Sequence, residues 1–466
     1  MPDTIRRWWS CDGAGHQAES PLATDAAPVL SRRQMLGGVA AGAALAAWAG
    51  PTSALAGVTM TPESAEPGAM RRCRTLVTIF LRGGADGLSL VPPYGDDTYH
   101  RLRPTIGLPS PKDTRAGKEA RTLDLNGFYG LHPSLAALHP LYAEGQLAVL
   151  HAIGSQDDTR SHFEAMAAME RGLPDSHHLA GSAGASGWLA RYLAASPAAT
   201  PSPLRAVAWG EVLPDSLRGA TDATVLTTLA NYRLEPVGPS LASTLRTLYS
   251  TAAASDLSED PVRQAGQATL HVLDVLRRVD PAKYQPEHGV TYPKGDLADG
   301  LRQVACLIKA RVGLEVACLD HRGPYLWDTH VAQAGVLPAQ AKDLGDALAA
   351  FAADLGKSGL ENVAVIAMTE FGRRAQENSG LGTDHGRGSV MFAFGGGIRG
   401  GKVYAQWPGL EEHQLEPPGD LRVTTDYRHA LAEIVSGLRG AAYPAHLLFP
   451  GLSERAAIGL HAASVV

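Results

Sequence analysis

Five apolar runs constrain the fold more than any other feature of the chain. They cover residues 76–81, 147–153, 314–319, 363–368 and 390–394, and only an isolated Thr, His or Glu interrupts them. Runs that are apolar on both sides of the pleat predict strands buried on both faces, as in a parallel sheet covered by helices. Helical patterns separate them, at about 134–144, 161–171, 187–192, 296–312, 338–356 and 424–438. In the 338–356 pattern, Leu344, Leu348, Phe351 and Leu355 fall on one face. Alternation of strand and helix predicts βαβ units and a mainly parallel sheet. Residues 206–209 read as a further strand and 238–280 as one or two helices, so 172–295 is expected to form a helical cap or insertion.

The chain has 466 residues, enough for one large domain or two ordinary ones. Its net charge is −6 and its basic residues are dispersed, which excludes a nucleic-acid groove, where Lys and Arg cluster on one face. Near the N-terminus, Ser31-Arg32-Arg33-Gln34-Met35-Leu36 has the form of a twin-arginine signal. A small-residue apolar stretch follows, and Ala54-Leu55-Ala56 offers an A-x-A cleavage site. We therefore expect a signal peptide at 1–56, an arm at 57–74 and one domain at 75–466. The expected partner is the twin-arginine export machinery, and the expected location is periplasmic or extracellular. The stretch is short for a spanning helix, so no stable membrane span is expected after cleavage; the alternative is an uncleaved anchor. Twin-arginine export carries folded passengers, often already loaded with a metal or cofactor.

Four cysteines, Cys11, Cys73, Cys306 and Cys318, show no CxxC spacing, which argues against a zinc-thiolate site. Cys306 and Cys318 read either as a disulfide of an oxidising compartment or as small buried hydrophobes.

Ligands in open α/β sheets sit beyond the carboxyl ends of the strands. Chemistry-bearing residues fall at those places. Asp86 follows the first run between glycines. Ser161 opens a helix after the second. Asp328 and His330 follow the third in Trp327-Asp328-Thr329-His330, and Glu370 follows the fourth in Thr369-Glu370-Phe371-Gly372-Arg373. Asp384 and His385, in Thr383-Asp384-His385-Gly386, precede the fifth. Carboxylates and imidazoles gathered at one sheet edge suit a divalent metal such as Zn, Mg, Mn or Ca. Each also has a plainer reading. Asp86 is a turn former, Ser161 caps a helix in a capping box with Glu164, Glu370 pairs with Arg373 or Arg374, and Asp384 orients His385. Ser161 or its rival Thr159 would be the nucleophile and Arg160 an oxyanion clamp. His132, His151 and His162 are weaker candidates, and Tyr94, Arg101 and Arg103 could face a substrate. There is no GxGxxG after the first run and no GxSxG, which argues against a dinucleotide enzyme and an α/β-hydrolase.

The runs FLRGGADGLSLVPPYGD, DTRSHFEAMAAMERG, DLADGLRQVACLIKARVGLEVACLD with WDTH, and MTEFGRR with GTDHGRGSVMFAFGGG together resemble the domain-of-unknown-function family 1501. The resemblance extends, in fold, to the alkaline phosphatase and sulfatase superfamily. It implies an α/β, alkaline-phosphatase-like, mainly parallel sheet sandwiched by helices with a helical insertion. It also implies metal ligands at Asp86, Asp328, His330 and His385, and a nucleophile at Ser161 or Thr159. Glu370 stands where such hydrolases carry Asp-His, which puts a second metal in doubt, and the C/S-x-P-x-R sulfatase motif is absent. The expected function is an exported metal-dependent hydrolase of small anionic esters, phosphate before sulfate. The alternative is a non-catalytic exported binding or envelope-assembly protein that keeps the fold and one metal.

Overall fold

The computed structural model describes residues 74–196, 202–232, 239–250, 261–440, 443–453 and 457–461. The expected signal, Cys11, Cys73 and all of the arm except Arg74 lie outside the described residues. The chain divides into two units, residues 1–60 with 252–265, and 61–251 with 266–466. Only 261–265 of the first are described, as the start of a helix; everything below concerns the second.

Its strands are β1 Thr75–Leu81, β2 Leu123–Asp124, β3 Gly130–Leu131, β4 Leu147–Gly154, β5 Ala206–Trp209, β6 Ala223–Leu226, β7 Val316–His321, β8 Val363–Met368, β9 Ser389–Gly395, β10 Lys402–Tyr404 and β11 Thr425–Asp426. β2 and β3 form a separate hairpin. The main sheet runs in the order β10-β4-β9-β8-β1-β7-β5-β6, with β11 also paired to β4. β1 is central and lies parallel to both β7 and β8. Among the described strands of this sheet, β9 alone is antiparallel to its neighbours β4 and β8. The carboxyl ends of β1, β4, β7 and β8 therefore share one edge with the start of β9.

The chain is mixed α/β with a largely parallel central sheet, and the reason is visible in β1, whose seven residues are all buried. Val77, Ile79 and Leu81 face one core with the helices Asp296–Lys309 and Gln333–Leu360, through Leu297, Leu301, Leu344, Leu348 and Phe351. Leu76 and Phe80 face the other, with the helices Trp188–Ala194 and Tyr427–Arg439, through Trp188, Leu189, Leu431 and Ile434. Side chains alternate across a strand, so an apolar run must be covered twice. Deleting one such side chain, as in Phe351→Ala, costs about 3–5 kcal/mol.

Several boundaries differ from the sequence expectation. The 338–356 helix begins at Gln333, upstream of Pro338. Proline removes one backbone donor, and a helix can start before it when other groups hold its first turn; here the buried Gln333 side chain is bonded on both sides. The expected 134–144 helix is a 3-10 segment, Pro133–Leu138, followed by His139–Ala143. The 172–295 segment contributes β5 and β6 to the sheet as well as the helices Pro239–Ser250 and Pro261–Val279. Cys306 and Cys318 are free and buried, not bonded. Cys318 lies in the core on one face of the sheet, while the helix carrying Cys306 packs on the other. Among the described residues no helix is long and apolar enough to cross a membrane.

Candidate metal centre

Asp328 is the hub of the shared edge. It follows β7 through a loop that Trp327 anchors. The buried Trp327 ring donates from Nε1 to His321 Nδ1 at 3.0 Å, and His321 Nε2 meets Asp343 Oδ2 at 2.9 Å. Gly83 brings β1 to the same place. Its φ is +120°, and a Cβ there would come within 2.8 Å of the Asp328 backbone, so only glycine permits this close approach.

Three imidazoles surround the Asp328 carboxylate. His385 Nε2 lies 3.2 Å and His330 Nε2 3.1 Å from Oδ1, and His162 Nε2 lies 3.6 Å from Oδ2. Arg373 adds a charged hydrogen bond to Oδ1 at 2.5 Å. The Asp328 side chain remains 32% exposed, so a ligand can reach it. Burial opposes ionisation of Asp328, but the three imidazoles and Arg373 outweigh it and hold the carboxyl far below its usual range.

The opposite ring nitrogens are pinned. His385 Nδ1 donates to the backbone carbonyl of Arg160 at 2.9 Å, and a carbonyl can only accept. His162 Nδ1 meets Glu370 Oε1 at 2.7 Å, an oxygen that already accepts from the Gly83 N–H at 2.9 Å. Both Nδ1 atoms therefore carry hydrogen, and both Nε2 atoms turn toward Asp328. His162 Nε2 is buried and has no hydrogen-bond partner. Burial disfavours a charge on this ring, but Asp328 and Glu370 prevail and raise it to about 9. The Phe371 ring lies 4.9 Å from His162 and 5.0 Å from His385, centroid to centroid, and backs both.

His162, Asp328 and His385 each offer one ligand atom, all within 4.8 Å of one another. Bonds of about 2.0–2.2 Å put tetrahedral donor atoms roughly 3.4 Å apart, close to the separations found between Asp328 and the two rings. An orphaned imidazole nitrogen, a second one facing the same carboxylate and oriented rings behind both fit a divalent metal.

The other expected site residues take different places. Glu370 is fully buried and orients His162, with Oε2 bonded to the Thr369 hydroxyl at 2.9 Å. It does not pair with Arg373, which bonds Gly83 O, Gly84 O, Thr383 O and Asp328 and so ties three segments together. His330 spans Asp328 and Asp384, its Nδ1 lying 3.5 Å from Asp384 Oδ1. Asp384 also takes bonds from Asn378 and, at 3.4 Å, from Arg374.

Asp86 does not join the cluster. Its two oxygens accept from the buried Arg103 at 2.6 and 3.0 Å, and Gln333 and Ser89 complete the set. Burial opposes its charge, but Arg103 prevails and its pKa is lowered. Arg103, expected to face a substrate, is thus structural, as are Arg101 on Glu411 and Tyr94 on Asp124. Arg160 is no oxyanion clamp, because its guanidinium is spent on Asp420 and the Pro417 carbonyl. The Thr159 hydroxyl donates to Asp157 at 2.5 Å. Ser161 stands at the N-cap of His162–Glu170 but makes no side-chain cap bond, so the expected capping box does not form and its hydroxyl is kept beside His162.

The profile described as Protein of unknown function (DUF1501) matches residues 73–432, most of the chain and all of the segments that build this cluster. The chain belongs to the DUF1501 family. No curated protein and no solved structure matches it. Within this DUF1501 chain, sequence reasoning undervalued His162, whose clue was its place directly after Ser161, at a helix start beyond β4.

Proposed function

We propose that this DUF1501 protein is a metal-dependent hydrolase of phosphate esters, with sulfate esters as the second choice. The supporting observation is the convergence of His162 Nε2, Asp328 and His385 Nε2, with both rings pinned from behind. His162, Asp328 and His385 would hold the ion. Two imidazoles and one carboxylate favour zinc over Mg or Ca, which prefer oxygen donors throughout. A divalent cation bound there supplies Lewis acidity, lowering the pKa of water or a hydroxyl and offsetting charge on an anionic ester. Glu370 and the Arg160 carbonyl fix the ring orientations, as outer partners of metal-binding histidines do. Ser161, with its hydroxyl outside the cap, is the nucleophile of choice over Thr159. An alkaline-phosphatase-like fold and delivery across a membrane by the twin-arginine machinery belong to the same reading, on the strength of the sequence motifs.

The second reading is a non-catalytic exported binding or assembly protein. Its support is Arg373, which already places a cation on Asp328, together with the structural use of Asp86 and Glu370. Phosphomonoesterase and phosphodiesterase assays on metal-loaded protein, with Asp328→Ala and His385→Ala beside the wild type, separate the two. Turnover lost in both variants supports the hydrolase. Equal rates in all three proteins, or none in any, leave the binding role.

A further inference from the structure

Away from the histidine cluster, a cavity of about 290 Å³ opens between the loop carrying Ile106 and Leu108, the turn at His132–Ser134 and the start of the helix Gln333–Leu360. Its walls are apolar at Ile106, Leu108 and Leu337, and polar at Ser89, His132, Ser134 and Gln333. Among the described lining residues Glu119 alone carries a formal charge.

His132 is the informative member. Its Nδ1 accepts the Ser134 backbone N–H at 3.0 Å, which leaves the hydrogen of the neutral ring on Nε2. The residue is 3% exposed, and burial pushes its imidazole down to about 4, so the ring is neutral at ordinary pH. Among the described residues nothing accepts from Nε2. A buried donor without an acceptor costs about 1–3 kcal/mol unless something in the adjoining space takes the hydrogen.

We propose that this cavity binds a small uncharged molecule with an apolar body and one carbonyl or hydroxyl oxygen. The oxygen accepts from His132 Nε2–H, and the body lies against Ile106, Leu108 and Leu337. Glu119 and the absence of any lining cation among the described residues turn anions away, so this ligand is distinct in kind from an anionic ester. The cavity also touches the scaffold of the cluster through one residue. Gln333 donates to Asp86 and Ser89, and it accepts from the hydroxyls of Thr329 and Thr383, which flank Asp328 and Asp384.

The test uses the full-length protein and two probes of similar shape, acetophenone and benzoate, with binding followed by saturation-transfer NMR and calorimetry. Ala334→Trp and Ala120→Trp fill the cavity from exposed wall positions and leave the core untouched. The expected result is that acetophenone binds, benzoate binds at least about tenfold more weakly, and both Trp variants lose acetophenone. His132→Phe should weaken it by about tenfold, the worth of one hydrogen bond, while Asp328→Ala leaves it unchanged. No binding of acetophenone to the wild type, equal binding of benzoate, undiminished binding in the Trp variants or in His132→Phe, or loss in Asp328→Ala would overturn the proposal.

Discussion

His162 Nε2 faces Asp328 Oδ2 across 3.6 Å with no hydrogen-bond partner of its own, although the rest of the ring is packed and bonded. Glu370 behind the ring causes this. By taking Nδ1–H it forces the free nitrogen toward the carboxylate. Two residues on different strand ends are thereby set up either to share a proton or to share a cation.

Glu370→Gln separates orientation from charge. The amide oxygen can still accept from Gly83 or His162, but the carboxylate no longer raises the basicity of the ring. Metal affinity should fall by roughly 10–100-fold, as for other outer partners of metal-binding histidines. Isothermal titration checks the affinity. Unchanged binding would make Glu370 a purely structural residue.

Arg373→Met tests the tie between the three segments. The guanidinium is buried and satisfies the carbonyls of Gly83, Gly84 and Thr383 as well as Asp328. Removing one partner of a buried charged network costs about 3–5 kcal/mol. Urea unfolding should show a loss of this size, and Arg373→Lys should recover part of it only, since one ammonium cannot reach every carbonyl of the fork.

Asp86→Asn distinguishes the structural from the ligand role of Asp86. It leaves the buried Arg103 without its counter-charge, so stability should drop by about 3–5 kcal/mol. Metal content per folded molecule should stay the same. A selective loss of metal at unchanged stability would restore Asp86 to the ligand set.

Acid should destabilise the fold through His151. The ring is fully buried, its Nε2 bonds the Val91 carbonyl at 2.9 Å and its Nδ1 accepts the Ala152 N–H at 2.8 Å. Burial pushes its pKa down to about 4, below the ordinary value of 6.5. The unfolded chain thus takes a proton that the folded state refuses. The stabilisation is complete above pH 6.5 and is lost as pH falls toward 4, by up to roughly 3 kcal/mol. Denaturant melts at a series of pH values should show this loss, and His151→Gln should flatten the slope in that window.

The sheet was legible because strands buried on both faces leave few polar gaps, and the edge was legible because Asp328 and Glu370 come after such runs. His385 comes before one, yet it reaches the same edge because β9 runs antiparallel, a direction that no local pattern encodes. The partners were not legible. Asp86 meets Arg103 across a loop-rich stretch without periodicity, and Arg373 turns to Asp328 instead of the neighbouring Glu370 because the chain bends sharply after β8. His162 looked ordinary because nothing local to it shows that its ring meets residues more than 160 positions away.

The most direct measurement is the metal stoichiometry and affinity of the purified protein for zinc, alongside His162→Ala, Asp328→Ala and His385→Ala. The prediction is a single tight equivalent in the wild type, and its loss in each variant with the fold retained by circular dichroism. A wild type that takes up no metal, or His162→Ala and His385→Ala variants that bind it as the wild type does, would contradict a metal centre built on His162, Asp328 and His385.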